Sequence, residues 1–190
     1  MSRRAEKAIE NADAIVGGKR HVDDVETSGK DVYVLTKDLD GAIEFIKGRK
    51  NGAKVAVLVS GDPGFYSFLP YLKKHLPARS IKVIPGLSSL QYMFASIGLE
   101  WQDAYLGSVH GRFGDIIALY NSHKKVALLT DRSSSPVTMA EILCENGYGD
   151  AILIVGENLS YDNERIVRAT AAQIRNMSFE NLSVVVILHE

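Results

Sequence analysis

The stretch K-V-A-V-L-V-S-G-D-P-G-F-Y-S, Lys54 to Ser67, decides the fold. After its leading lysine the first part is purely apolar and valine-rich, with the length and composition of a strand buried on both faces. It stops at Gly61-Asp62-Pro63-Gly64, a turn signal. Phe65, Phe68, Leu69 and Leu72 then fall on one helical face, which Pro77 closes. Strand, glycine turn and helix in that order form the repeating unit of an α/β fold.

The unit recurs on both sides. Upstream, Ala5, Ala8, Ile9 and Ala12 make a helical stripe, Ala14-Ile15-Val16 a short run that ends at Gly17-Gly18, and Val32 to Leu35 a strand. Leu39, Ala42, Ile43 and Ile46 follow at i, i+3, i+4 and i+7, the spacing of a helix against a core. Downstream, Ile81 to Ile84 reads as a strand broken by Pro85-Gly86, and Leu87, Leu90, Phe94 and Ile97 as a helix. A second half then runs through a strand at Ala104 to Leu106 and a helix stripe of Phe113, Ile116, Ile117 and Tyr120. A strand at Lys125 to Leu129 precedes a helix with Ser135 as N-cap and Pro136 at its first position, ending near Asn146 before Gly147. Ala151 to Val155, Arg165 to Ala169 and Leu182 to His189 are further strands, with a short helix from about Thr170. The apolar pattern pauses near Trp101–Asp103. The expected architecture is therefore two α/β domains, 1–102 and 103–190, with mostly parallel sheets and a cleft between them, and ligands at strand carboxyl ends or in the cleft.

Composition narrows the function classes. The 190 residues are 46% hydrophobic and 24% charged, with 22 Lys and Arg against 23 Asp and Glu. A net charge of −1 gives no reason to expect nucleic acid or an anionic membrane as partner. No apolar run approaches the roughly 18 residues of a membrane span. The start, S-R-R-A-E-K-A-I-E-N, lacks the apolar core of a secretion signal, so a cytoplasmic protein is expected and the three N-x-S matches carry no meaning. The single cysteine, Cys144, excludes an internal disulfide and reads as a small hydrophobe. His21, His75, His110, His123 and His189 show no metal-ligand spacing.

Four segments have the residues for chemistry. S-G-D-P-G-F-Y-S, Ser60 to Ser67, opens a helix after a buried strand: its glycines let a ligand approach the backbone, and Asp62 can accept from a ribose or an ammonium group. A tight turn with Asp62 as a helix cap accounts for it equally well. The loop is neither G-x-G-x-x-G nor a Walker A loop, so neither a dinucleotide nor a triphosphate is indicated. V-I-P-G-L-S-S, Val83 to Ser89, also ends a strand; Ser88 or Ser89 can cap the next helix, or its free N–H groups can bind a carboxylate. G-S-V-H-G-R, Gly107 to Arg112, places His110 in a loop suited to anion contact. V-G-E-N-L-S-Y-D-N-E-R-I, Val155 to Ile166, leads a buried strand into a polar loop, which by itself can be a plain hairpin connection. Gly17-Gly18-Lys19-Arg20-His21 can attract an anionic substrate, or be a solvated loop.

In their order and spacing, G-D-P-G-F-Y-S, P-G-L-S-S, S-V-H-G-R and G-E-N-L-S-Y-D-N-E-R-I resemble the tetrapyrrole (corrin/porphyrin) methylases. S-V-H-G-R, G-E-N-L and the early I-V-G-G-K-R-H are most similar to the cobalt-precorrin-7 (C5)-methyltransferase branch of cobalamin biosynthesis. The resemblance implies a homodimer that holds S-adenosyl-L-methionine in the interdomain cleft. It implies cofactor contacts from Gly61, Asp62, Pro63, Gly64, Phe65, Ser88 and Ser89, and from Leu129, Thr130, Gly156 and Glu157. Ser108, His110, Gly111, Arg112, Asn158 and Tyr161 would face the macrocycle, with Arg112 pairing with one of its carboxylates. The implied reaction methylates carbon 5 of cobalt-precorrin-7, and a (C15)-methyltransferase is a possible partner.

Members of the family begin with a strand and a G-x-G-P-G loop ahead of the helix at Ala5 to Ala12, whereas this sequence begins inside that helix. The first sheet is therefore expected to lack that strand. Methyl transfer from a sulfonium needs little acid–base help, so no catalytic acid or base is assigned; the protein's part is alignment and exclusion of water. The alternatives are a methylase of another ring position or a non-catalytic homologue that binds a tetrapyrrole or a partner. A generic nucleotide-binding domain is disfavoured for want of a phosphate loop.

Overall fold

The first helix, α1 (Arg3–Glu10), starts where Ser2 accepts a hydrogen bond from the Ala5 N–H at 3.3 Å, and its apolar stripe buries Ile9. The computed structural model describes residues 1–50, 52–109, 115–181 and 183–189. They form two compact units, Met1–Ser88 and Ser89–Glu190.

In the first unit β1 (Ala14–Gly17) is wholly buried and central, with β2 (Asp31–Val34) and β3 (Val55–Leu58) parallel on either side. Ala14 stands opposite both Asp31 and Val55. Helix α3 (Leu39–Lys47), capped by the Asp38 carboxylate accepting from the Gly41 N–H at 2.9 Å, buries Ala42 and Ile43 from the expected stripe. A short helix, α2 (Lys19–Asp23), occupies the Gly17–His21 run, where no element is expected from periodicity. Helix α4 (Leu69–His75) begins later than the Phe65 stripe implies, because Tyr66 has a left-handed φ of 47° that no helix accommodates.

Ile81 to Ile84 is not a sheet strand. A 3-10 turn, Ala78–Ser80, leads into backbone without a ladder partner among the described residues. The apolar alternation supplies a face, but a strand also needs a neighbour to complete its hydrogen bonds. Among the described residues β3 pairs only with β1, and it is half-buried along its length although its sequence reads as fully buried. The first sheet thus shows three strands among the described residues.

The second unit contains α5 (Ser89–Ser96), β4 (Tyr105–Ser108), α6 (Ile116–Ser122), β5 (Lys125–Leu129), α7 (Pro136–Glu145), β6 (Ile152–Glu157), β7 (Arg165–Thr170), α8 (Ala171–Ile174) and β8 (Ser183–Leu188). The sheet order is β4-β5-β8-β6-β7. Only β4 and β5 run parallel; β5–β8, β8–β6 and β6–β7 are antiparallel, so the expectation of a mostly parallel second sheet is corrected. The loop 158–164 is too short for a parallel crossover and makes β6–β7 a hairpin.

Val126 and Leu128 of β5, Leu153 and Val155 of β6, and Val185 and Ile187 of β8 share one face, packed with Met139, Ala140 and Leu143 of α7 and with Ile174 of α8. The opposite face, with Ala127, Ile154 and Val186, is also buried. Helix α5 packs there against β5 and β8. Helix α5 belongs to the second compact unit, Ser89–Glu190. The segment 100–103 is tied to β5: Lys125 Nζ bonds Glu100 Oε1 at 2.6 Å and Asp103 Oδ1 at 2.8 Å. Cys144 is a free, half-buried thiol against the core. Among the described residues no helix is long and apolar enough to cross a membrane, and no cluster of three metal-ligating side chains occurs.

Candidate functional site

In the first unit the two glycine turns named from the sequence touch. The Asp62 carboxylate accepts from the Gly64 N–H at 2.7 Å through Oδ1 and from the Gly86 N–H at 3.3 Å through Oδ2. Gly86 lies so close to Gly61 that a Cβ added to it would come within 3.0 Å of the Gly61 carbonyl oxygen and 3.1 Å of its carbon. One carboxylate and two glycines therefore lock the loop after β3 to the turn after Ile84. This differs from a helix cap at Asp62, since α4 starts seven residues later. It also means that two of the carboxylate's roughly four lone-pair sites are already in use.

Around this junction the backbone is bare. Gly61 adopts φ +66° and is exposed, as is Gly64; Pro63 and Phe65 are half-buried. Phe65 packs edge-on against Tyr66 with centroids 4.8 Å apart, and Tyr66 itself is 63% exposed. Ser88 is buried, and Ser89 is the first residue of α5. A left-handed Tyr66 costs conformational energy, and such strain is typical of loops that serve a ligand.

The run after β1 adds two polar side chains, Arg20 and His21, beside Ser60 at the start of the same loop. Ser60 Oγ accepts from Arg20 Nη2 at 3.2 Å and lies 2.9 Å from His21 Nε2. Burial and the Arg20 charge hold the His21 pKa below its ordinary value, with Asp24 pulling the other way. His21 Nδ1 is buried with no hydrogen-bond partner among the described residues.

In the second unit, Leu129 ends β5 and Thr130 Oγ1 donates to the Ser183 carbonyl at 2.8 Å. Asp131 Oδ1 folds the following turn by accepting from the Ser133 and Ser134 N–H groups at 2.9 and 2.7 Å. Gly156 is enforced by packing, because a Cβ there would meet Met93 Sδ at 2.7 Å and Leu159 Cδ2 at 2.8 Å. Glu157 is 2% exposed, and its carboxylate is engaged by Arg165 Nε and the Glu180 N–H. Asn158 and Ser160 both adopt left-handed φ, 47° and 71°. Ser160 N–H donates to Glu164 Oε2 at 2.7 Å, and Tyr161, 41% exposed, stands on this constrained hairpin loop. A hydrogen bond to Glu164 raises the pKa of the Tyr92 hydroxyl, linking the loop to α5. Ser108 closes β4 opposite Leu129. His110, Gly111 and Arg112 lie outside the described residues.

Gly61 to Phe65 thus lie at one junction of the first unit with Gly86, two residues before Ser88, while Leu129, Thr130 and Ser108 share one strand end of the second, and Gly156 to Tyr161 make another. Sequence reasoning placed Gly86 and Ser60 inside the candidate segments without giving either a contact of its own. The signal for both was their place beside glycine turns at two strand-like ends.

The comparisons agree on one family. The model of the tetrapyrrole (corrin/porphyrin) methylases matches residues 1–175. The chain is 36% identical over 190 residues to a cobalt-precorrin-7 C(5)-methyltransferase of Salmonella typhimurium, covering 100% of this chain and 92% of that one. It is 33% identical to a probable enzyme of the same name from Methanocaldococcus jannaschii, over 98% of this chain and 90% of the relative. Its fold is similar to that of a precorrin-6Y methylase from Archaeoglobus fulgidus, with TM-score 0.76 at 21% identity over 100% and 91% of the two chains. It is also similar to a uroporphyrin-III C-methyltransferase of Thermus thermophilus solved with S-adenosyl homocysteine, with TM-score 0.76 at 17% identity over 98% and 85%. With its whole length accounted for by these likenesses, the chain belongs to the tetrapyrrole (corrin/porphyrin) methylases.

Proposed function

We propose that this chain is an S-adenosyl-L-methionine-dependent methyltransferase acting on carbon 5 of cobalt-precorrin-7 in cobalamin biosynthesis. The observation that carries the reading is the junction of Gly61, Asp62 and Gly86, where two glycine turns meet in close backbone contact and leave exposed glycine backbone at Gly61 and Gly64. The full-length likeness to C(5)-methyltransferases supports the ring position.

The cradle fits the methyl donor. Exposed glycine backbone suits a flat nucleoside, and the absence of a phosphate loop suits a ligand without phosphates. Bound there, S-adenosyl-L-methionine supplies a methyl group already activated by its positive sulfur. Gly61, Asp62, Pro63, Gly64 and Phe65, with Ser88 and Ser89, hold it on this reading. Leu129, Thr130, Gly156 and Glu157 are further candidate contacts on the strength of the family resemblance. Ser108, Asn158 and Tyr161 are the proposed macrocycle contacts; the resemblance adds His110, Gly111 and Arg112, which lie outside the described residues.

The residues act by binding and alignment. Asp62 keeps both turns in register, and the locked loops set where the donor can lie. Good alignment of reacting atoms is worth several kcal/mol of barrier. A macrocycle that is electron-rich at the reacting carbon needs no strong base, and none is assigned here. The homodimer and a (C15)-methyltransferase partner rest on the family resemblance.

Calorimetric titration of the purified chain with S-adenosylhomocysteine tests the reading. Micromolar binding, about −8 kcal/mol, is expected, followed by methyl transfer to cobalt-precorrin-7. A folded chain that does not bind it refutes the assignment.

A further inference from the structure

The hairpin loop 158–164 between β6 and β7 is held in shape from within. The Asn158 carbonyl accepts from the Tyr161 N–H at 3.0 Å, and the Tyr161 carbonyl accepts from the Glu164 N–H at 2.9 Å, so two turns follow one another. Ser160 is the third residue of the first turn and has φ 71°, a conformation that turns usually give to glycine. Its N–H is fixed by Glu164 Oε2 at 2.7 Å.

We propose that Glu164 is a positioning residue of the site: it holds this loop so that Asn158 and Tyr161 meet the macrocycle, and Tyr92 braces its carboxylate. This rests on the methyltransferase reading given above and adds the residue that shapes the substrate side.

Three observations support the assignment. First, the loop leaves the sheet where ligands gather. Ser108 stands opposite Leu129, and Leu129 and Gly156 both stand opposite Val184 of β8. Strands β5 and β6 are each antiparallel to β8 and so run the same way, which brings the loop to the edge where β4 and β5 also end. Ligands of α/β sheets bind along such carboxyl ends. Second, the loop is strained. Asn158 and Ser160 are both left-handed, and a loop that had only to reverse the chain would cost less with glycine there. The exposed Glu164 carboxylate offsets part of that cost at Ser160. Third, Glu164 is itself tied down. The half-buried Tyr92 hydroxyl donates to it, and that bond, ahead of burial, holds the tyrosine pKa above its ordinary value, with Ser96 pulling the other way. The next residue, Met93, and Leu159 of the loop both crowd Gly156, where a Cβ would meet Met93 Sδ at 2.7 Å and Leu159 Cδ2 at 2.8 Å. Helix α5 therefore braces the loop at two points. That helix begins at Ser89, a candidate donor contact, so one carboxylate connects it to the loop that carries Asn158 and Tyr161.

The test compares wild type with Glu164→Ala, Glu164→Gln, Tyr92→Phe and the double variant Glu164→Ala/Ser160→Gly. Methyl transfer from labelled donor to cobalt-precorrin-7 is measured with each substrate varied, S-adenosylhomocysteine is titrated by calorimetry, and melting temperatures are recorded. Glu164→Ala should lower kcat/KM for the macrocycle at least about tenfold, because the loop no longer holds the acceptor in line. Glu164→Gln, which keeps an oxygen acceptor, should recover part of that loss, and Tyr92→Phe should show a smaller loss in the same direction. The double variant should also recover part, since glycine adopts the left-handed conformation without support. S-adenosylhomocysteine affinity should stay at the wild-type value in Glu164→Ala, and its melting temperature should fall by no more than about 2 °C. Wild-type kcat/KM in Glu164→Ala overturns the proposal. So does a loss of donor affinity or stability that matches the loss of activity, which makes the role structural, and so does a double variant with no recovery. In each of these cases the methyltransferase reading stands. A wild type that does not bind S-adenosylhomocysteine or does not methylate cobalt-precorrin-7 is the separate failure of that reading and ends both.

Discussion

Gly86→Ala is the most informative single substitution. Gly86 does not adopt a positive φ, so the cost of a side chain there is steric rather than conformational. The added Cβ would fall within 3.0 Å of the Gly61 carbonyl oxygen, and both sides of the clash are backbone, which cannot rotate away as a side chain can. The two turns must part by on the order of 1 Å, a shift that also stretches the 3.3 Å bond from the Gly86 N–H to Asp62. Overpacking of this kind costs about 1–3 kcal/mol. For a chain of this size that corresponds to a fall in melting temperature of roughly 2–12 °C. The same displacement moves one wall of the cradle, and an error of about 1 Å in alignment can cost on the order of 100-fold in rate. Scanning calorimetry, S-adenosylhomocysteine titration and methyl transfer from labelled donor measure the three effects. Gly29→Ala is the control: Gly29 adopts φ +73° with nothing within 4 Å of its Cβ position, so it should lose stability through strain alone and keep its ligand affinity. If Gly86→Ala loses no more donor affinity than Gly29→Ala, the two turns do not form one cradle.

Two further outcomes test the frame around the site. Leu143→Ala empties a fully buried position between α7 and the second sheet and should cost about 2–5 kcal/mol, seen as a lower urea midpoint at unchanged slope. A loss under about 1 kcal/mol would mean that this core collapses around the cavity or is not as packed as described. His21 should make stability depend on pH. Its pKa is lowered in the fold, by burial first and then by Arg20, against a smaller opposite pull from Asp24. The unfolded chain therefore takes up this proton first, and stability present above about pH 6.5 is lost as pH falls below it. Urea midpoints of wild type and His21→Asn between pH 7.5 and about 5 should converge as pH falls; parallel curves would sink this account of the imidazole.

The parts of the molecule legible in the sequence are those set by local chemistry. Ser135 and Pro136 begin α7 because a hydroxyl and a fixed φ suit a helix start, and Gly147, at φ +85°, follows its end. The valine-rich run at β8 is buried at every position, as a central strand requires. The glycine turns after β3 and after Ile84 were visible for the same reason. Partnership between distant segments was not visible. Ile81 to Ile84 has the apolar pattern of a strand but no neighbour among the described residues, and hydrogen-bond pairing is not written in a four-residue pattern. The direction of β8 depended on a chain reversal that periodicity cannot report. Helix α5 carries an apolar face that would suit either half, and packing against β5 and β8 determined its place. Asp62 offered acceptors to any donor, and tertiary structure assigned two of them to Gly64 and Gly86. Local sequence determined which segments are strands, turns and helices wherever capping and burial act over a few residues. The three-dimensional fold decided which of them meet, because a hydrogen bond or a close contact belongs to two segments and is specified by neither alone.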